Sequence, residues 1–168
     1  MDKDEIQMDF LTPHNCRNDQ MRKEIESRGG KIYELNAIDK PLLNKLVFFS
    51  LIRFIKTHQY DIVHIHTGSI VYMALACLAA KTAGAKAIIV HSHNSADVST
   101  GKTGLGWKVK ICRPIIQKCS DYKWACSDKA AEYMFGVNQD AYIMNNGIYL
   151  DDFVYSEESR IKVRNELR

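Results

Sequence analysis

No two cysteines in this chain stand in C-x-x-C spacing. Five are present, Cys16, Cys77, Cys112, Cys119 and Cys126, and without a close pair neither a zinc ribbon nor a thioredoxin-type motif is supported. The odd count, with no signal peptide at the start, leads to the expectation of a reducing, cytoplasmic setting. Charge of one sign is also scarce: the formal net charge is +3, too small to argue for nucleic acid on its own. There is no internal repeat, linker or low-complexity segment. Long hydrophobic runs are missing too. Ile62 to Ala80 carries no formal charge, but His64, His66, Thr67, Gly68 and Ser69 break it up, and a spanning helix needs about 20 mostly apolar residues. No transmembrane segment is expected. What remains is ordinary globular composition, 46% hydrophobic and 26% charged over 168 residues, enough for one domain with a real core.

Short β-rich runs alternate with helical stretches along the chain. Gln7 to Leu11 reads as a strand, Arg17 to Arg28 as a helix stopped by Gly29-Gly30, and Lys31 to Leu35 as a second strand. Pro41 opens a helix to about His58, with Leu43, Val47, Leu51 and Ile55 on one face. Asp61 to Ile65 is a third strand, and Ser69 to Ala83 a helix closed by Gly84. Lys86 to Val90 is a fourth strand. Leu105, Val109, Cys112, Ile116 and Cys119 recur at spacings that fit a fourth helix, with Pro114 as a candidate kink. Tyr122 to Cys126 is a fifth strand, Ser127 an N-cap for the next helix, Ala141 to Met144 a sixth strand, Asn145-Asn146-Gly147 a turn, and Ser156 to Arg168 a charged helix. Such alternation predicts an α/β fold with a Rossmann-like, three-layer parallel sheet covered on both faces.

In open parallel sheets of this kind, ligands bind outside the carboxyl ends of the strands. That rule gathers His66-Thr67-Gly68-Ser69, His91-Ser92-His93-Asn94-Ser95, Ser127 and Asn145-Asn146-Gly147 at one edge. Helix N-termini there offer free N–H groups to phosphate or hydroxyl oxygens, so the rim suits a polyhydroxylated or phosphorylated ligand. The same Ser, Asn and Gly residues are also ordinary turn formers. His64 reads first as a histidine packed within the sheet. The two H-x-H pairs admit a metal as well, since imidazoles at i and i+2 can chelate zinc. A catalytic zinc adds a carboxylate or a third close ligand, however, and Asp97 is the only nearby carboxylate. A metal-dependent hydrolase therefore stands as an alternative, with no metal as the leading expectation. Gly101-Lys102-Thr103 imitates the end of a phosphate-binding loop, but Ala96 occupies the position of the first glycine and no strand ending in aspartate supplies a magnesium partner. Lys102, Trp107, Lys108, Lys110 and Arg113 give the fourth helix a basic face. It reads either as a solvated surface or as a contact with an anionic membrane surface. No nucleic-acid partner is expected, because stacking aromatics are not interleaved with the basic residues.

With these residues set out, the chain resembles the N-terminal, acceptor-side domain of glycosyltransferase family 4 enzymes of GT-B architecture. Asp61-Ile62-Val63-His64-Ile65-His66 resembles the family's strand ending in H-x-H. Ile88-Ile89-Val90-His91-Ser92-His93-Asn94 resembles its hydrophobic run followed by H-S-H-N. Asp121 to Ser127 followed by Ala130-Ala131, and Asn146-Gly147-Ile148 with Asp151 and Phe153, complete the order over about residues 7 to 168. The resemblance implies a two-domain enzyme, capsular or exopolysaccharide in type. Sugar would move with retention of configuration from a nucleotide-sugar to a saccharide or lipid-linked acceptor, with no cofactor. His93 would be the catalytic residue beside the transferred sugar. His66, Gly68, His91 and Asn94 would contact the acceptor, and Ser127, Asn146 and Gly147 would line the cleft floor. The basic helix would make a peripheral contact at the inner face of the cell membrane.

Two departures shape the remaining expectations. The family's first apolar strand and glycine-rich loop have no counterpart here, and neither has its donor-binding half. Residues 1–155 are thus expected to form an acceptor-binding domain truncated at its start, and 156–168 a helix leading toward a donor-binding domain supplied in cis or in trans. The missing strand is central in the family sheet, so a gap with unpaired edges is expected. This polypeptide alone should be inactive and prone to self-association. A non-catalytic module that binds saccharide, lipid or a protein partner is the other reading.

Overall fold

The computed structural model describes residues 6–12, 15–35, 43–96, 106–138 and 140–167, with the side chains at 43–46 and 152 left aside. Pro41, Asp97 and Gly101-Lys102-Thr103 lie outside the described residues. Four helices start where a side chain accepts one of the free N–H groups of the first turn. Asn18 caps α1 (Asp19–Ser27), Ser69 caps α3 (Ile70–Ala83), Ser127 caps α5 (Asp128–Phe135) and Ser156 caps α6 (Glu157–Glu166). Two more helices, α2 (Leu43–His58) and α4 (Trp107–Cys119, with Pro114 inside), complete the set among the described residues, with a single 3₁₀ turn at Leu150–Phe153. Glycine answers a backbone demand at two positions. Gly84 ends α3 at φ +86°, the left-handed conformation that L side chains resist. Gly30 follows α1, and a Cβ there would meet the Met8 carbonyl oxygen at 2.4 Å.

The strands are parallel throughout. β1 (Phe10–Thr12) pairs with β2 (Ile32–Glu34), and β3 (Ile62–His66), β4 (Ala87–Ser92), β5 (Tyr122–Ala125) and β6 (Tyr142–Ile143) pair in that order. Aspartates anchor two strand starts. The backbone carbonyl of Asp61 accepts from Ala87 N at 3.0 Å, and Asp121 Oδ2 accepts from Ile88 N at 2.8 Å. This is an α/β, Rossmann-like parallel fold. Its strands form two sheets: among the described residues no backbone ladder joins β1–β2 to β3. Side chains span the division instead. Tyr60 donates to Asp9 Oδ2 at 2.6 Å, and Tyr33 of β2 meets Phe54 of α2 edge-on at 4.9 Å.

Alternation sends successive strand residues to opposite faces. Ile65, Ile88, Val90 and Ala125 turn to one face and join a single core with Ile55 of α2, Ile70, Met73 and Cys77 of α3, Cys112 and Ile116 of α4, and Met134 and Phe135 of α5. α3 packs between α2 and α4, and its Ala74, Ala79 and Ala80 are buried. On the other face lie Ile62, His64, His66, Ile89, His91, Tyr122, Trp124 and Tyr142, joined across the strands by register. Ile62, Tyr122 and Tyr142 remain exposed. No helix of the described residues is long and apolar enough to cross a membrane.

Candidate functional site

The carboxyl end of β3 and β4 brings four imidazoles together. Register sets His66 directly opposite His91. Adjacent parallel strands hold such partners about 4.8 Å apart, and the ring centroids of His66 and His91 lie 5.0 Å apart. His64, two residues back on the same face, stacks parallel to His91 at 5.6 Å. Beyond the end of β4, His93 stands 4.1 Å from His91, centroid to centroid. Trp124, next to His91 in β5, presents its edge to His64 at 5.0 Å and to His91 at 5.9 Å. The sequence reading did not single out Trp124. Its signal was register: an aromatic one strand over, at the level of an H-x-H pair.

Hydrogen bonds extend the cluster outward. His66 Nδ1 and His93 Nε2 are 2.9 Å apart, and His93 Nδ1 lies 3.2 Å from Asn146 Oδ1. For neutral rings this chain has one direction. Asn146 Oδ1 only accepts, so His93 Nδ1 carries the proton. His93 Nε2 is then a lone pair that accepts from His66 Nδ1–H, and His66 Nε2 is left unprotonated. Asn146 sits on the exposed loop after β6, so this bond ties a loop residue to the strand ends. For His66, His91 and His64 the surroundings favour the neutral ring. Burial, then the neighbouring imidazoles, lower His66 and His91 to about 4, against an ordinary 6.5. The same causes lower His64. Loss of hydration penalises the imidazolium.

His91 is 4% exposed, and neither of its ring nitrogens has a hydrogen-bond partner; nor does His64 Nε2. Buried polar atoms rarely go unpaired, so these are the least satisfied groups at this edge. By contrast Ser92, fully buried between the two histidines of its motif, donates from Oγ to the Ala130 carbonyl at 2.9 Å and fixes the end of β4 to the first turn of α5.

The other sequence-derived residues fall into two groups. Asn94 is half-buried beside His93, and Gly68 lies in the turn between β3 and α3. Gly147 is exposed, next to Asn146. Ser127 is at the same edge, but its hydroxyl accepts from Ala130 N at 3.3 Å as a helix cap. On α4, Trp107 is 68% exposed and Lys108 and Lys110 are exposed. Arg113 turns inward and donates from Nη2 to the carbonyls of Glu132 and Tyr133, at 3.0 and 2.7 Å, closing the end of α5. Lys102 lies outside the described residues. All five cysteines are free thiols, with Cys77, Cys112 and Cys119 buried. A hollow lined by Lys56, Tyr60, Asp61 and Lys86 lies at the opposite, amino end of the strands, away from the histidines.

Parallel strands ending in this imidazole edge are matched by a family model, Glycosyltransferase Family 4, over residues 1–152. The chain belongs to glycosyltransferase family 4. Among curated proteins it is 32% identical over 165 residues to "Putative glycosyltransferase EpsF" of Bacillus subtilis (strain 168), covering 91% of this chain. It spans 40% of that relative's length. In this family 4 chain the H-x-H and H-S-H-N segments are thus the two strand ends that meet, and the N-G turn reaches them through Asn146.

Proposed function

We propose that this chain is the acceptor-side half of a retaining glycosyltransferase of polysaccharide biosynthesis. Sugar passes from a nucleotide-sugar to a saccharide or lipid-linked acceptor in the cleft above the histidines. Residues 1–155 form the acceptor domain, and 156–168 lead toward a donor-binding domain in cis or in trans. The observation that carries this reading is the His66–His93–Asn146 chain at the carboxyl edge of a family 4 sheet. His93 has one ring nitrogen on Asn146 and the other on His66, so it can exchange either partner for a sugar hydroxyl and orient it as charge develops. His66, Gly68, His91 and Asn94 line the acceptor side; Ser127, Asn146 and Gly147 form the floor. Trp107, Lys108 and Lys110, exposed on α4, face an anionic membrane surface carrying a lipid-linked acceptor, and transfer takes place on its cytoplasmic side.

The test is transfer by this domain joined to a family donor domain, with and without His93→Gln. Loss of one such charge-stabilising contact costs about 10²–10³ in kcat. Wild-type rates in the variant would remove His93 from the chemistry. The chain alone should give no labelled product from any nucleotide-sugar, because the donor contacts lie elsewhere. A second reading is a non-catalytic saccharide- or lipid-binding module. It predicts saccharide binding with no gain of transfer when a donor domain is supplied.

A further inference from the structure

We propose that His64, His66 and His91 form a binding site for a divalent transition metal of the zinc class, with His93 and Asn146 as its outer support. One ring nitrogen from each of the three histidines lies within 4.8 Å of the others. Zinc bound at about 2.1 Å from each nitrogen draws ligands to roughly 3.4 Å apart in tetrahedral geometry, a contraction that small rotations of the three rings supply. The neutral imidazole is the form that ligates.

Two independent features mark the cluster as unfinished. His91 is almost wholly buried, yet both its nitrogens lack a partner, and His64 Nε2 lacks one too. Coordination would occupy a lone pair on each. The hydrogen-bond direction set by Asn146 also leaves His66 Nε2 as a lone pair, while His66 Nδ1 donates to His93. Metal-bound histidines characteristically have their second nitrogen fixed in this way by an outer partner. A neutral all-imidazole donor set suits zinc, nickel, cobalt or copper ions rather than magnesium or calcium, which prefer oxygen. Three protein ligands leave a fourth position open at the sheet edge. The inference rests on the cluster alone and does not depend on sugar transfer.

Titration of the metal-free full chain with Co²⁺, followed by competition with Zn²⁺ against a chromophoric chelator, tests it. The expected result is one bound equivalent with the intense visible bands of four-coordinate cobalt and no thiolate charge-transfer band. His64→Gln, His66→Gln and His91→Gln should each abolish that equivalent. His93→Gln should weaken it about tenfold, the size of an outer-partner loss. Circular dichroism reports whether each variant folds. If the buried His91→Gln does not, the less buried His64 and His66 variants decide. Absence of a stoichiometric complex in the wild-type chain overturns the site. So does a complex that survives all three substitutions, or one that shows thiolate absorption and disappears on cysteine alkylation. None of these outcomes touches the His93 transfer assay, so the two readings fail separately.

Discussion

The four strands β3 to β6 present two faces built from alternate residues of the same segments, and the faces differ in almost every physical respect. One sends Ile65, Ile88, Val90 and Ala125 into a core closed by α2 to α5. The other carries imidazoles and indole near its carboxyl end and leaves Ile62, Tyr122 and Tyr142 exposed at 57–63%. The first face holds the fold together; the second holds the groups with unmet bonding capacity. Stability and chemistry are therefore separable here by strand parity, and substitutions one residue apart should behave differently.

Phe135→Ala tests that separation most severely. Phe135 is 1% exposed beneath the packed face, and emptying such a site costs about 3–5 kcal/mol. Tyr142→Ala, on the open face, should stay within about 0.5 kcal/mol. Urea unfolding of the two variants makes the comparison, and similar losses would break it.

Association sharpens it from the other side. Exposed Ile62, Tyr122 and Tyr142, beside a β3 whose outer edge has no strand partner among the described residues, make that face adhesive. The chain should self-associate with rising concentration. Ile62→Lys with Tyr122→Lys should weaken association by about tenfold or more, since each buried side chain of this size contributes roughly 1.5–3 kcal/mol. Sedimentation showing a monodisperse monomer at all concentrations would refute this.

The open face carries a pH dependence of its own. His66 and His91 titrate near 4 in the folded chain against 6.5 unfolded, and His64 is lowered in the same direction. Between those values the unfolded chain binds more protons, so stability is full above about pH 6.5 and is lost as pH falls toward 4. His66→Gln or His91→Gln removes one such proton each. The plot of unfolding free energy against pH should flatten in that window for both, and an unchanged slope would show that the rings are not desolvated together.

Much of this arrangement was legible in the sequence, for reasons that particular residues make clear. Ser69, Ser127, Ser156 and Gly84 carry their structural signal in their own chemistry, so those helix ends fell where local rules put them. The H-x-H pairs were readable because a strand's period of two is rigid. β1 was less so. Expected from Gln7, it begins at Phe10, because its extent is set by pairing with β2 and by the approach of Gly30 to Met8. Trp124 joined the site through cross-strand register, which one strand's sequence does not contain. The 3₁₀ turn at Leu150–Phe153 also went unforeseen.

Arg113 gives the smallest effect and a final contrast, within one helix. By composition it belongs with Lys108 and Lys110 on a basic face, yet its guanidinium donates to two carbonyls at the end of α5. Charged hydrogen bonds of this kind contribute about 1.5–3 kcal/mol when buried, and less for a half-buried group, so Arg113→Ala should cost about 1 kcal/mol of stability. Lys108→Ser and Lys110→Ser should leave stability within about 0.5 kcal/mol. Adsorption to vesicles containing phosphatidylserine should respond in the opposite order, since each exposed lysine contributes about 1 kcal/mol at an anionic surface. Urea titration and vesicle sedimentation on the same three variants separate the two duties. If Arg113→Ala leaves stability intact but releases the chain from vesicles, the residue serves the membrane, and the end of α5 is held by its packing alone.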